Sequence, residues 1–346
     1  MWEKAVGNVR DYLQVINSLS YDEVDILNNQ ITRLESLKLR GDNSTDLSQY
    51  YDTAINAKQM QLILNWEEYD LFERVTEESY TQHKPRYYFR GHYDSSFSLV
   101  PSVFRDNYWA HEDYLYHQII VECPEYFNSS THLDKLVTMQ HYNCPTRLLD
   151  ITSNPLVALY FACKNFGCEK CNNSAEGEVI VFPVFPGEIA YADSDRALML
   201  SCIPSLSSKE KKLLHDEAYS SLPSNKFGKD THGRYLSKIV EHFYYEVTTE
   251  IPAFTRDIKP LDLLEPLFVQ PNKTNSRILK QDGAFIISGL SRKSSEAEIK
   301  LNAIKLGSIK VTNQKSVLQE LRNYGVHEAS LFPEIDKVSN YFKTHL

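Results

Sequence analysis

The strongest constraint on the fold is a polar strand that leads directly into an apolar helix, at residues 140–162. The strand part carries Arg147 and Asp150 among apolar residues, where a core strand would be uniformly apolar. Charged side chains are rarely buried unless they are paired, so this strand is predicted to line a site. Arg147 and Asp150 are three positions apart and would point to opposite faces of a regular strand, which argues against a direct pair.

The helix part of this segment is predicted to begin at Pro155, followed by the apolar run 156–162. Proline suits the first turn of a helix, and Ser153 or Asn154 suits the N-cap. The first N–H groups of such a helix face the preceding turn and attract anions. Thr152 and Ser153 in that turn are therefore either pocket residues or only part of the helix cap.

Composition places the chain among folded proteins with a large core. The chain has 346 residues, of which 42% are hydrophobic and 12% aromatic, enough for one large or two ordinary domains. Its net charge of −9 argues against general binding to duplex nucleic acid, although a local basic groove remains compatible with it. Six unevenly spaced cysteines do not indicate a disulfide framework.

The apolar pattern also bears on location. The first residues lack the apolar core of a signal peptide, and no apolar run approaches the roughly 20 residues that span a bilayer. We therefore expect a cytoplasmic protein without a membrane partner.

The periodicity of apolar residues divides the chain into three regions. Residues 1–83 show helical spacing and are predicted to form a helical N-terminal region. Residues 84–290 form the core region, with strands predicted at 86–89, 178–182, 267–269 and 284–287. Residues 291–346 are predicted to be a C-terminal α/β extension packed on that core. The strands around Tyr87, Val179 and Phe285 are expected to share one mixed sheet in an α+β fold.

Several residues suggest chemistry, and each has a structural alternative. Arg90 and Gly91 follow an aromatic strand: the arginine can bind a phosphate or carboxylate while the glycine admits a flat ring, or the arginine only stabilises a tight turn. His141 is either a general base or a core histidine with satisfied hydrogen bonds.

A group of cysteines has a spacing that is compatible with a metal site. Cys163, Cys168 and Cys171 have a C-x4-C-x2-C spacing, and Cys144 or His141 is available as a fourth zinc ligand. The segment 169–177 has the composition of an exposed loop, and there is no second CxxC motif. We therefore expect no metal site.

Several motifs can be considered together, namely residues 88–92, 99–105, 140–142 and 145–150, with Arg277, Ile278, Gln281, Gly283 and Phe285. These motifs resemble the FRG domain family, which is named for its Phe-Arg-Gly tripeptide. The resemblance extends weakly to 325–326 and 331–336. It covers about residues 84–346 and leaves the helical N-terminus outside.

The order of these motifs is similar to that of the ADP-ribosyltransferase superfamily, which binds NAD in a cleft of a split sheet. This likeness implies an α+β fold with a mixed, split β-sheet and NAD as substrate. It implies that Arg90 holds phosphate or ribose, that the Gly91 backbone bonds the nicotinamide amide, and that Thr152 and Ser153 brace the pocket. Gln281 would occupy the catalytic position, where such transferases usually place a glutamate. The residues implied as catalytic are Arg90, Gln281 and Thr152, and those implied as binding NAD are Gly91, His92, His141, Thr146, Arg147, Asp150, Ser153 and Arg277.

Two functions follow from this resemblance. The first is an NAD-dependent ADP-ribosyltransferase or NAD glycohydrolase, acting as an intracellular effector of a toxin or phage-defence type. Its N-terminal helices would hold a protein partner or inhibitor, and nucleic acid remains an unfavoured acceptor. The alternative is a non-catalytic nucleotide-binding or protein-interaction module, which the neutral Gln281 favours.

Overall fold

The fold is α+β, with helices packed around one eight-stranded mixed sheet, as seen in a computed structural model. The structure describes residues 2–19, 23–39, 50–56, 58–59, 85–128, 130–164, 176–185, 187–222, 227–228, 235, 237–254, 258–272 and 276–344.

The strands come from all three regions that the periodicity separates. They are β1 (Trp2–Val6), β2 (Arg86–His92), β3 (Leu148–Thr152), β4 (Gly177–Val184), β5 (Ile189–Tyr191), β6 (Leu267–Gln270), β7 (Gly283–Ile287) and β8 (Gly307–Val311). Their order across the sheet is β1-β8-β4-β2-β3-β7-β6-β5. The β1–β8 and β5–β6 pairs are parallel, and the others are antiparallel. The prediction that the strands around Tyr87, Val179 and Phe285 share one mixed sheet is confirmed.

Most α-helices are short and connect or cover these strands. They are α1 (Val9–Asn17), α2 (Glu23–Leu39), α3 (Glu112–Glu122), α4 (His132–His141), α5 (Pro155–Cys163), α6 (Asp195–Ser201), α7 (Ser208–Ser220), α8 (Lys238–Glu250), α9 (Pro260–Leu264), α10 (Ser276–Lys280), α11 (Ser294–Ile304), α12 (Gln314–Asn323), α13 (Glu328–Leu331) and α14 (Ile335–Thr344). Residues 50–56 are also helical. None of the described helices is long and apolar enough to cross a bilayer.

The N-terminal region is not purely helical, which corrects the prediction for residues 1–83. Strand β1 lies at the sheet edge and pairs in parallel with β8 over five residues, from Trp2 opposite Gly307 to Val6 opposite Val311. The sequence does not predict a strand at residues 2–6, because a short segment that contains Glu3 and Lys4 has a weak apolar pattern. Two local signals of this region, a Ser-x-x-Glu pattern at 20–23 that is typical of a capping box and a helix break at 41–44, lie outside the described residues, apart from Glu23.

The sheet is nearly split between its two central strands. Strand β2 pairs with β4 along its whole length, and β3 pairs with β7 along its whole length. Between β2 and β3, however, just one pair of residues faces each other, Phe89 and Thr152. The central strands therefore diverge on one side of this pair and leave room between them.

The hydrophobic core reflects this split on one face of the sheet. One cluster there includes Leu148 and Phe285, on the β3–β7–β6 half. A second includes Phe89 and Val179, on the β2–β4–β8 half, where α5 packs. On the other face a single cluster runs across both halves and contains Tyr88 and Ile151. The sheet is thus held together from one face and open between two cores on the other.

Local residues set two helix ends, and the prediction for the start of α5 is confirmed. Helix α5 begins at Pro155, and the side chain of Asn154 accepts a hydrogen bond from the backbone N–H of Leu156. Helix α12 ends at Asn323 and is followed by Gly325, whose φ of +75° is the left-handed conformation that glycine adopts easily. The N–H of Val326 then donates to Leu321 O, and the N–H of Gly325 donates to Arg322 O, which is a Schellman motif.

Gly91 sets how closely β2 approaches α5. A Cβ atom at this position would lie 2.0 Å from the carbonyl oxygen of Ala158 and 2.6 Å from the backbone nitrogen of Ala162. These are backbone atoms of a helix, so they cannot rotate away. A glycine is required here for packing.

We expect Gly91→Ala to lower the free energy of unfolding by about 1 to 3 kcal/mol or more, the usual cost of overpacking a core. Gly283→Ala is the matched control, because its Cβ would meet Ile278 at an ordinary distance of 3.6 Å. That control should leave stability unchanged or raise it by up to about 1 kcal/mol. Urea denaturation of both variants measures the difference, and equal stabilities would contradict the packing role.

Candidate functional site

A cavity of about 310 Å³ lies where the sheet is split. Its walls come from β2, β3, the N-terminal half of α5, the end of α4 and the α10–β7 segment. The predicted site residues that line it are Arg90, Gly91, His141, Asp150, Thr152, Arg277 and Gln281. Segments far apart in sequence therefore meet in one concave site.

Arg90 bridges the gap between the two central strands. Its Nη1 donates a 2.7 Å hydrogen bond to the backbone oxygen of Asp150 on β3, and its Nε donates to Nε2 of His92 at 3.0 Å. Among the described residues, its Nη2 has no hydrogen-bond partner. Burial lowers the pKa of Arg90 to about 10, against the opposing effect of Asp150, so the guanidinium is charged at neutral pH. A fixed cation with a free N–H group thus faces the cavity.

His92 is a buried neutral acceptor for this arginine and does not line the cavity. Because an arginine N–H can only donate, the Nε2 atom of His92 must accept, and its ring proton lies on Nδ1. Burial, with the nearby cations Arg90, Arg105 and Lys305, lowers the pKa of His92 to about 2. The predicted contact between His92 and a cofactor is therefore replaced by a contact with Arg90.

Asp150 supplies the negative charge of the cavity wall. Its Oδ2 accepts a 2.8 Å hydrogen bond from Nε2 of Gln140 and lies 3.9 Å from Nη1 of Arg90. The Gln140 amide is oriented in turn by Thr146, whose hydroxyl donates to Gln140 Oε1 at 2.5 Å. Thr146 is buried and outside the cavity lining, so it acts on the site through Gln140.

Thr152 and Gln281 tie the end of β3 to the turn before β7. The hydroxyl of Thr152 donates to the backbone oxygen of Gln281 at 2.6 Å and accepts from the N–H of Asn154 at 3.0 Å. The side-chain amide of Gln281 donates to Leu331 O at 3.1 Å. Both polar groups therefore have structural partners. Gln281 also precedes β7 by two residues, and Asp282 between them has a left-handed φ of +47°.

Arg277 and the C-terminal segment form one edge of the cavity. The Arg277 guanidinium lies 4.7 Å from the centre of the Phe332 ring, and its Nη1 is 3.9 Å from Glu334 Oε1 and 3.4 Å from His141 O. Burial and the charge of Arg277 lower the pKa of His141, which keeps that ring neutral at physiological pH. The C-terminal segment thus packs against the site instead of lying apart from it.

Arg147 does not reach this cavity, which corrects the expectation that it is one of the NAD-binding residues. It stands one residue before β3 and donates through Nε and Nη2 to the carboxylate of Glu112 at 2.9 and 2.6 Å. Its Nη1 donates to Ser288 O, and Lys211 completes the cluster 2.9 Å from Glu112. Its role in this structure is to hold α3, α7 and the end of β7 together. Ser153 is likewise exposed and outside the cavity lining.

The sequence analysis does not predict Gln140 as a site residue. It lies one position before His141 at the end of α4, and its amide contacts both Thr146 and Asp150. The signal available was a polar residue at a helix end close to a polar strand, which does not reveal which side chain it meets. Cys168 and Cys171 lie outside the described residues, and Cys163 is buried in the core.

Comparison with known families agrees with the motifs that line the cavity. Residues 85–170 match the family model of the FRG domain, a span that includes β2, α4, β3 and α5. The chain contains an FRG domain. Five of the predicted lining residues, Arg90, Gly91, His141, Asp150 and Thr152, lie in the matched segment, whereas Arg277 and Gln281 follow it. Searches among curated proteins and among solved structures found no match.

The structural role of Arg147 can be tested by removing the charge of its partner Glu112. We expect Glu112→Gln to cost about 3 to 5 kcal/mol of stability, as for other buried ion pairs that lose one partner. Burial raises the pKa of Glu112, but Arg147 and Lys211 more than offset this and hold it at about 2, below its ordinary value of 4.5. The stabilisation is therefore present above pH 4.5 and is lost as the pH falls toward 2.

Chemical denaturation of wild type and Glu112→Gln at several pH values measures this effect. The difference between them should be largest near neutral pH and should shrink below pH 4.5. Glu125→Gln, at an exposed position, serves as the control and should change stability by less than about 0.5 kcal/mol. A difference that does not depend on pH would contradict the assignment.

Proposed function

We propose that this FRG-domain protein binds NAD in the cavity at the sheet split and cleaves it, as an NAD glycohydrolase or an ADP-ribosyltransferase. The observation that carries the proposal is Arg90. Two of its donor groups are fixed by His92 and by the backbone of Asp150, and its Nη2 is left for a ligand. A guanidinium held in this way suits a phosphate oxygen, because its planar fork of donors keeps its charge and geometry.

The size and lining of the cavity support a nucleotide ligand. Its volume of about 310 Å³ is near the lower end of the range of small-molecule sites, about 300 to 1,000 Å³. It would enclose one half of the dinucleotide and leave the other half outside. Phe89, Phe161 and Phe285 supply apolar surface for a flat ring, and Arg277 supplies a second cation.

Cleavage of NAD would suit an intracellular effector of a toxin or phage-defence type. A protein that consumes this cofactor depletes a pool on which many enzymes depend, as a toxin or a phage-defence protein would. The N-terminal region, which contributes β1 and α1 to the same unit, is the proposed contact for a partner or inhibitor.

A second candidate function is nucleotide binding without cleavage. The observation that favours it is the position of Gln281, whose amide is bound to Leu331 O and carries no charge. In this case the cavity would bind NAD or ADP-ribose but release no nicotinamide.

Arg90→Lys tests the proposal, since lysine keeps the charge but lacks the planar fork of separated nitrogens with which Arg90 contacts His92, Asp150 and a ligand. We expect NAD affinity to fall by about 10 to 100-fold, the value of a hydrogen bond to a charged group of about 1.5 to 3 kcal/mol. Nicotinamide release should fall with it. Calorimetry with NAD and a chromatographic assay of nicotinamide measure the two quantities.

Arg86→Lys is the matched control, because Arg86 is exposed at the start of the same strand. It should bind and cleave NAD like the wild type. A wild-type protein that neither binds NAD nor releases nicotinamide would refute the proposal, whereas binding without release would favour the second candidate.

A further inference from the structure

We infer that Asp150, rather than Gln281, is the catalytic carboxylate of this cavity and contacts the ribose of the bound NAD. This inference rests on the proposed function above. It starts from a requirement of the reaction, in which a negative group must lie next to the sugar where positive charge develops.

The reaction sets what that group must do. The bond between ribose C1′ and the nicotinamide nitrogen breaks, and its electron pair leaves with nicotinamide, which becomes neutral. The sugar becomes an oxocarbenium-like cation. In the glycohydrolase reaction, water then adds at C1′ and loses a proton, which gives ADP-ribose. In the transferase reaction, the hydroxyl or amine of an acceptor adds at C1′ and loses a proton, which gives the ADP-ribosylated acceptor. A carboxylate that binds a ribose hydroxyl stabilises the cationic stage through its charge.

Asp150 is the one carboxylate among the described residues that line the cavity. It is the third residue of β3, opposite Phe285 on β7, and its side chain is 57% exposed. Its neighbours Leu149 and Ile151 are buried in the cluster on the opposite face of the sheet. Because side chains alternate along a strand, Asp150 points toward the cavity while Leu149 and Ile151 pack on the other face of the sheet.

The carboxylate is held in a defined orientation. Gln140 donates to Oδ2, and Thr146 fixes the Gln140 amide so that its NH₂ group faces Asp150. Oδ1 has no hydrogen-bond partner in the part of the chain that the structure describes. One carboxylate oxygen is thus committed to the protein and the other is left for a ligand hydroxyl, the arrangement expected of a preorganised group.

Asp150 is also adjacent to the proposed phosphate-binding residue. Arg90 donates to the backbone oxygen of Asp150 at 2.7 Å and lies 3.9 Å from its Oδ2. One residue of β3 therefore positions both the cation and the anion of the site. A ribose and the phosphate attached to it need such neighbouring groups of opposite charge.

Gln281 meets these requirements less well. Its amide nitrogen is used by Leu331 O, and it lies on a turn that is held by Thr152. A glutamate placed there would direct its carboxylate at the Leu331 carbonyl, where the two oxygens would repel each other. Restoring the acid at position 281 is therefore not expected to raise activity.

Asp150→Asn tests the inference, because asparagine has the same shape and its side-chain oxygen can still accept from Gln140. We expect kcat for nicotinamide release to fall by about 100 to 1,000-fold, the range for loss of one electrostatic stabiliser. KM for NAD and the affinity for ADP should change by less than about threefold. Asp150→Glu should recover part of kcat. Asp193→Asn, at an exposed turn after β5, is the control and should match the wild type.

The outcomes separate this inference from the proposed function. Wild-type activity that persists in Asp150→Asn but is lost in Gln281→Ala would overturn the assignment of Asp150 and leave NAD cleavage standing. Equal losses of ADP affinity and kcat in Asp150→Asn would identify Asp150 as a structural counterion of Arg90 and would also overturn it. A wild-type protein without nicotinamide release would overturn both proposals.

Discussion

The structure depends on the incomplete pairing of β2 with β3. Backbone polar groups inside a protein must find partners, and these two strands face each other at one residue pair only. The Arg90 guanidinium replaces part of the missing backbone hydrogen bonding between β2 and β3, because it donates to the backbone oxygen of Asp150. A side chain that completes a sheet in this way stays partly exposed to the gap, so the element that satisfies the backbone also creates a charged cavity.

The surrounding elements keep this gap open and ordered. The opposite face of the sheet has one continuous core, which prevents the two halves from separating. On the open face, α5 lies so close to β2 that only glycine fits at position 91. His92 holds Arg90 from one side because burial among cations keeps its ring neutral and able to accept. The Thr146–Gln140–Asp150 chain holds the other wall, so the polar groups of the site are rigid before any ligand arrives.

Much of this could be predicted from local sequence. Four predicted strand segments (86–89, 178–182, 267–269 and 284–287) correspond to β2, β4, β6 and β7, since aromatic and β-branched runs between breakers are strong signals. The start of α5 followed from Pro155, because capping depends on a few adjacent residues. The short strands β1 and β5 were missed. Their pairing partners are far away in the chain, and nothing local to them demands a strand.

The sequence by itself determined which residues could form a site: a family motif with Arg90 and Gly91, and a polar strand that runs into an apolar helix. These are properties of adjacent residues, and the match at 85–170 supports them. The tertiary structure alone decided which of the charges meet. Arg147 and Asp150 are three residues apart, yet one is paired with Glu112 in the interior and the other faces the cavity. Which of the two residues is buried depends on long-range packing, because a charged side chain is buried only where a residue distant in sequence compensates the loss of its hydration.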